Sequence, residues 1–152
     1  MRLDRAWIER HIPHRGAMCL LDEVVSWDAD RITCSSSRHR DAGNPLRVRG
    51  QLGVACGIEY AAQAMAVHGA LAAGALQSGS QRPPAGFLAG LRGVEFHVVR
   101  LDDLPGDLTC DAVRVAGDGG SAIYDFEVRC ASAAVLNGRA TVVLEAKEWM
   151  RS

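Results

Sequence analysis

One acid and one amide stand four residues apart within a segment that is otherwise almost entirely apolar. Residues 53–71 read GVACGIEYAAQAMAVHGAL, and the acid and the amide are Glu59 and Gln63. Residues four apart lie on the same face of a helix, so the amide can orient the carboxyl group. Burial disfavours an ionised carboxyl, so we expect the pKa of Glu59 to be raised and the group to stay protonated near neutral pH. A protonated carboxyl group of this kind suits a general acid.

Two histidines are candidates for proton transfer because imidazole titrates near neutral pH. His14 follows Pro13 beside a predicted strand and is the first candidate; His39 lies in a polar stretch before the helix and is the second. Structural interpretations stay open, since His14 can cap the strand and His39 can be a solvated loop residue. Of the other histidines, His11 is expected to be exposed, and His68 and His97 are expected to be structural.

The elements that must position these residues follow from the pattern of apolar residues. The chain begins with a short amphipathic helix, two strands and a long alanine-rich helix, over residues 3–10, 18–27, 31–38 and 52–76. Four more strands follow, over residues 86–101, 108–116, 121–131 and 133–145. Apolar residues all round the long helix indicate that it is buried. This order predicts a single α+β domain over residues 1–152, and its free sheet edges favour a dimer.

The composition excludes several classes of protein and partner. The chain has 152 residues, 48% of them apolar, and a formal net charge of −1, so no bulk attraction to nucleic acid or to a membrane is expected. Its N-terminus lacks the apolar stretch of a secretory signal, and no apolar run is long enough to span a membrane. The five cysteines show no metal-ligand spacing. We therefore expect reduced thiols in a cytoplasmic protein that uses no metal and no cofactor.

Four segments carry a resemblance to the hotdog-fold β-hydroxyacyl-acyl-carrier-protein dehydratases. They read IPHRGAMCLLDEV, GIEYAAQAMAV, GFLAGLRGVEFHVV and LPGDLTCDAVRV, and they begin at residues 12, 57, 86 and 104. The first resembles the family's opening Pro-His motif, and the second resembles its helical Glu-x-x-x-Gln motif, with Glu59 and Gln63 in register. The resemblance implies the hotdog fold, an antiparallel sheet wrapped round one long buried central helix.

One motif of that family is absent. The standard dehydratases carry Gly-His-Phe-Pro shortly before the helix, and its histidine is their catalytic base. Here residues 42–53 read AGNPLRVRGQLG, and Pro45 stands about where that histidine would be. The chain is more similar to a divergent branch of dehydratases linked to aryl-polyene pigment clusters, which keeps the Pro-His and Glu-x-x-x-Gln motifs. His14 is then the best remaining candidate base.

The resemblance implies loss of water from 3-hydroxyacyl thioesters of acyl carrier protein, giving trans-2-enoyl thioesters in fatty-acid-like or polyene biosynthesis. The residues expected to be catalytic are Glu59, His14 and Gln63, and the family's two-subunit sites imply that Glu59 and His14 meet across an interface. Free N–H groups at the start of the helix, at Gly53 and Val54, are expected to bind the thioester carbonyl.

The expected partners are an acyl carrier protein with a phosphopantetheine-linked acyl chain, and a second hotdog chain in a homodimer or heterodimer. Arg82 and Arg92 are the arginines expected to contact the acidic carrier or its phosphate.

Two other functions stay open. An acyl thioesterase on the same fold would use the helix carboxylate to activate water or to attack the carbonyl. A non-catalytic, acyl-carrier-binding hotdog subunit would partner an active dehydratase.

Overall fold

The computed structural model of the chain describes residues 3–14, 16–74, 76, 86–118 and 120–144. Within these residues the helices are α1 (Arg5–His11) and α2 (Gly57–Ala72). The strands are β1 (Glu23–Trp27), β2 (Arg31–Ser36), β3 (Gly86–Phe96), β4 (Leu108–Gly117), β5 (Ser121–Cys130) and β6 (Ala133–Leu144). Each predicted helix and strand is present with shifted ends. None of the described helices is long and apolar enough to cross a membrane.

The six strands form one antiparallel sheet in the order β1-β2-β4-β5-β6-β3. β4, β5 and β6 pair as successive hairpins, while β3 comes earlier in the chain and pairs with β6 at the far edge. α2 packs against one face of this sheet, on β4, β2 and β5. The predicted α+β arrangement, an antiparallel sheet with one long helix, is therefore confirmed.

Buried and less buried residues alternate along the strands, so the face of the sheet that α2 covers is distinct from its outer face. In β4, Leu108, Cys110 and Ala112 are fully buried, whereas Asp111 between them is only half-buried and lies on the outer face. The start of α2 comes very close to β6. A Cβ atom at Gly57 would stand 2.4 Å from Cδ2 of a buried leucine of that strand, so the glycine permits this close approach.

One face of α2 is not covered by its own chain. This open helix face consists of half-buried residues spaced three or four apart, Glu59, Ala62, Ala66 and Gly69. It corrects the expectation of a helix buried on all sides. The edge strand β3 is open as well, and it carries three large apolar side chains that are 41%, 44% and 47% exposed, Leu88, Leu91 and Phe96. A single chain therefore leaves apolar surface uncovered beside the helix.

The segment before β1 departs from the prediction. The strand expected from residue 18 begins only at Glu23, and residues 16–22 contain a 3-10 turn followed by an irregular stretch. α1 begins after Asp4, whose carboxylate accepts the N–H of Trp7. The Trp7 ring stacks on that of His11 with centroids 4.0 Å apart, so His11 is buried and the expectation that it is exposed is wrong.

Candidate active site

The first candidate base and the candidate acid contact each other within one chain. Nε2 of His14 lies 2.9 Å from Oε1 of Glu59, a distance at which an imidazole N–H donates to a carboxylate. The two side chains are 28% and 36% exposed, so the pair lies at the surface, at one end of the open helix face. The contact forms within one chain, whereas the family resemblance implies a contact across a subunit interface.

The contact also changes the protonation state expected of Glu59. The hydrogen bond from His14 lowers the pKa of the Glu59 carboxyl, with a further contribution from Gln63, and the two outweigh the raising effect of partial burial. The expectation of a raised pKa is therefore wrong, and Glu59 is a carboxylate at neutral pH. Its second oxygen, Oε2, has no hydrogen-bond partner among the residues that the structure describes.

Gln63 ties α2 to the segment that carries His14. Its side chain is fully buried. Oε1 accepts the N–H of Leu20 at 2.9 Å, and Nε2 donates to the carbonyl of Met18 at 2.8 Å. Nε2 also lies 3.4 Å from Oε1 of Glu59. The predicted contact between the amide and the carboxyl group is thus present but long, and the main-chain contacts of Gln63 are the shorter ones.

His39, the second candidate base, lies in the protein interior. It is fully buried, and its Nε2–H donates to the carbonyl of Leu104 at 3.0 Å. Burial lowers the pKa of His39 and so favours the neutral imidazole. The expectation of a solvated loop residue is wrong. No substrate can reach this imidazole without a change of structure.

The loop that stands in place of the missing Gly-His-Phe-Pro motif is held together by Arg47. All three nitrogens of its guanidinium group donate to main-chain carbonyls, those of His39, Asp41 and Gly50. Pro45 in this loop is exposed and has no acid–base group. The loop therefore contributes structure and no second histidine to the site.

The start of the long helix is less free than predicted. Residues Val54–Cys56 form a 3-10 turn before α2, and the N–H of Val54 donates to the carbonyl of Val99 at 3.1 Å. That N–H is not free for a thioester carbonyl, which corrects the expectation for Val54. Gly53 is exposed, and its N–H has no hydrogen-bond partner among the described residues. The expectation for Gly53 stays a prediction.

Of the two arginines expected to contact a carrier protein, Arg92 lies within the described residues. Arg82 lies outside the described residues. Arg92 is exposed on β3 and lines a groove of about 940 Å³ on the outer face of the sheet. Arg139 and Asp125 line the same groove and are ion-paired, whereas Arg92 has no ion-pair partner within the described part of the chain. The groove faces away from α2, so it is separate from the His14–Glu59 pair.

The side chains of the candidate site can carry out acid–base chemistry. Among the described residues, no group of three or more histidine, cysteine, aspartate and glutamate side chains could hold a metal ion. The five cysteines are free thiols, and all but Cys56 are buried. His68, predicted to be structural, is buried between the hydroxyl of Tyr124 and the carbonyl of Asp28. The imidazole of His14 and the carboxylate of Glu59 form a half-buried acid–base pair at the end of the open helix face.

In sequence, the chain matches the ApeP-like family, whose description is ApeP dehydratase, over residues 6–150. This match covers nearly the whole chain. No curated protein matches the sequence significantly.

Solved structures show the same architecture. The dehydratase heterocomplex ApeI:P from Xenorhabdus doucetiae is similar with a TM-score of 0.82 and 22% identity, over 95% of this chain and 94% of that chain. A mutant thioesterase from Pseudomonas aeruginosa is similar with a TM-score of 0.54 and 16% identity, over 81% of each chain. A thioesterase from Haemophilus influenzae has a TM-score of 0.56 and 13% identity, over 81% of this chain and 77% of that chain. At these identities the likeness concerns the fold, and the predicted hotdog fold is confirmed.

Proposed function

The chain belongs to the ApeP-like dehydratase family, and from this membership we propose that it removes water from 3-hydroxyacyl thioesters of acyl carrier protein to give trans-2-enoyl thioesters. Such a dehydration needs a base for the proton on C2 and an acid for the departing hydroxyl on C3. The observation that carries the proposal is the hydrogen bond between His14 and Glu59, which places a carboxylate with a free oxygen beside a proton donor.

In this proposal Glu59 is the base and protonated His14 is the acid, the reverse of the roles expected from the sequence. The lowered pKa of Glu59 favours its carboxylate form. Oε2 has no hydrogen-bond partner among the described residues and is the oxygen proposed to accept a proton. The proton on Nε2 of His14 points at Glu59, while Nδ1 is enclosed and has no partner within the described residues. The imidazole therefore offers no open lone pair for the C2 proton.

The reaction then proceeds as a proton transfer at each end of the C2–C3 bond. Oε2 of Glu59 takes the proton from C2, the C2–C3 double bond forms, and the C3–O bond breaks. The departing oxygen takes the proton from Nε2 of His14, whose N–H turns from Oε1 of Glu59 to the C3 oxygen, and leaves as water. Glu59 is now protonated on Oε2, and Nε2 of His14 has lost its proton. When the carboxyl group turns so that Oε2 takes the place of Oε1 beside Nε2, the proton passes back to His14 and the starting state is restored. The N–H of Gly53 is the proposed donor to the thioester oxygen, where negative charge develops.

A second hotdog chain is part of the proposal. The similar ApeI:P structure is a heterocomplex. In this chain the open helix face and the exposed apolar side chains of β3 leave a surface that a neighbouring chain would cover. Pairing of a second sheet edge with β3 would also satisfy the unpaired main-chain groups of that strand. Either an identical chain or a different hotdog chain meets these requirements.

Carrier docking is assigned to Arg92, together with Arg82 outside the described residues. Arg92 is exposed and without an ion-pair partner among the described side chains, so its charge is available to an acidic carrier. We expect Arg92→Glu to raise KM for the carrier-bound substrate and to leave turnover of a small pantetheine thioester unchanged. Arg31→Glu, in the same groove but on β2, tests whether the effect is specific to Arg92 or shared by the other arginine of the groove without an ion pair among the described residues. Equal KM values for Arg92→Glu and wild type would remove Arg92 from the proposal.

The proposed reaction is tested by following loss of water from a 3-hydroxyacyl-carrier protein by mass spectrometry, with the chain alone and with a candidate hotdog partner. Glu59→Gln and His14→Ala should each lower turnover by about 10²–10⁴-fold, the usual contribution of a general acid or base. Glu127→Gln, on the outer face of the sheet, is the matched control and should retain wild-type turnover. Release of free acid in place of dehydration would point to a thioesterase.

A second candidate function has one observation in its favour. Pro45 stands where the standard family has its catalytic histidine, and the nearby His39 is sealed by burial. A chain without that base would act as a non-catalytic subunit that binds the acylated carrier beside an active dehydratase. A folded protein that binds the acylated carrier but does not dehydrate it alone would favour this function, provided that Glu59→Gln combined with an active partner retains full dehydration.

A further inference from the structure

The main chain of Leu20 is held on both sides by buried side chains from two different elements. From α2, Oε1 of Gln63 accepts the N–H of Leu20 at 2.9 Å. From the end of β2, the hydroxyl of Ser36 donates to the carbonyl of Leu20 at 2.5 Å. Gln63 and Ser36 are 0% and 1% exposed, so water does not compete for these hydrogen bonds.

The segment around Leu20 depends on these side chains because it belongs to no strand. Residues 16–22 make few main-chain hydrogen bonds, among them Cys19 N–H to the carbonyl of Gly16 and Asp22 N–H to the carbonyl of Ser35. Both polar groups of the buried Leu20 main chain are satisfied by side chains instead. His14 lies shortly before this segment, so its position relative to α2 depends on how the segment is held.

We infer that Ser36 is a positioning residue of the proposed site, which holds the segment carrying His14 against α2 through Leu20 and Gln63. This inference rests on the proposed function, since positioning matters only where the pair acts. The contacts run from Ser36 to Leu20, from Leu20 to Gln63, and from Gln63 to Glu59. Acceptance of the Leu20 N–H at Oε1 polarises the Gln63 amide and strengthens donation from its Nε2 atom.

The Ser36 hydroxyl bonds to two main-chain groups at once. Its oxygen also accepts the N–H of Arg38 at 3.1 Å, so it serves as donor and acceptor at once. Removal of the hydroxyl leaves the carbonyl of Leu20 and the N–H of Arg38 without these partners, and both must move to find new ones. A small displacement of residues 16–22 then lengthens the contact between His14 and Glu59, and misalignment of reacting groups is costly for catalysis.

The test compares Ser36→Ala with Ser35→Ala, the adjacent serine on the opposite face of β2. For Ser36→Ala we expect kcat to fall about tenfold and KM to change less than about twofold, because misalignment affects the chemical step more than binding. Ser35→Ala should leave both constants unchanged. An unchanged kcat in a folded Ser36→Ala protein would overturn the inference. Ser36→Cys, which keeps the volume but is a weak donor, serves the same test if the alanine variant does not fold.

A second readout needs no turnover. The titration of the Glu59 carboxyl carbon is followed by ¹³C NMR, with the resonance assigned by Glu59→Gln. We expect the pKa of Glu59 to rise in Ser36→Ala, as the hydrogen bond from His14 lengthens, and to stay at its wild-type value in Ser35→Ala. If the wild-type protein does not dehydrate the substrate but this pKa shift occurs, the proposed function is wrong and the positioning role is supported. If wild type dehydrates and neither kcat nor the pKa responds, the positioning role falls.

Discussion

Nε2 of His14 lies 2.9 Å from Oε1 of Glu59, and both residues belong to the same chain. The contact joins the irregular segment before β1 to the first turn of α2. Gln63 bonds to both elements, since its amide reaches the main chain of residues 18–20 and the Glu59 carboxylate. One chain can therefore carry both members of an acid–base pair, and in our proposal a partner chain is needed to enclose the substrate.

A pair contained in one chain predicts that two inactive variants cannot rescue each other. When His14→Ala and Glu59→Gln chains are mixed and allowed to exchange, every chain in a mixed assembly lacks one member of its own pair. We expect dehydration to stay at the level of the separate variants. The measurement is carrier-thioester turnover after subunit exchange, with exchange verified by native mass spectrometry. Recovery of about a quarter of the wild-type rate would show that the pair forms between chains.

The His14 contact predicts how the Glu59 carboxyl titrates. The hydrogen bond from His14 is the main cause of its lowered pKa, so His14→Ala should raise that pKa. The sign for activity follows, because the carboxylate base is present above the pKa and is lost as pH falls through it. ¹³C NMR titration of the Glu59 carboxyl measures the shift directly. The carboxyl of Asp118, whose pKa is lowered by N–H groups of its own turn, is the internal control and should not move.

Much of the fold follows from local patterns in the sequence. The alanine-rich run predicts α2, and the spacing of Glu59 and Gln63 predicts that they share a face of it. The predicted helix is too long at its C-terminus because apolar residues continue beyond Ala72. The helix ends there since Gly74 takes up left-handed backbone with φ of 88°, a common way for a helix to stop.

The site was harder to predict because its contacts join residues far apart in the chain. His39 is buried and donates a hydrogen bond to the carbonyl of Leu104, and no local pattern in the sequence indicates that partner. Ser36 lies in a run of three serines, and only the fold shows which of them turns inward to Leu20. His11 is different, because its stacking on Trp7 is a contact between residues four apart on one helix, and the sequence does contain that signal.

The burial of His39 and His68 predicts that the protein becomes less stable in mild acid. Burial lowers the pKa of both His39 and His68. The unfolded chain therefore binds protons that the folded chain does not. Stability is complete above the unfolded pKa of about 6.5 and is lost as pH falls from there through the folded values. We expect the midpoint of urea denaturation to be lower at pH 5 than at pH 7.5. In His39→Gln the difference between these two midpoints should be smaller. Equal wild-type midpoints at the two pH values would contradict the prediction.

The close approach of α2 to β6 predicts opposite effects for two glycine substitutions in the same helix. A Cβ atom at Gly57 would lie 2.4 Å from Cδ2 of Leu136, which is fully buried and has little room to move. At Gly69 a Cβ atom would meet nothing within 4 Å. Overpacking costs about 1–3 kcal/mol, whereas replacing glycine by alanine within a helix contributes about 1 kcal/mol. Gly57→Ala should therefore lower the free energy of unfolding and Gly69→Ala should raise it, as measured by urea denaturation at pH 7.5. A Gly57→Ala protein as stable as Gly69→Ala would mean that the Leu136 side chain rotates away at little cost, and that the glycine is not what lets the helix approach the sheet.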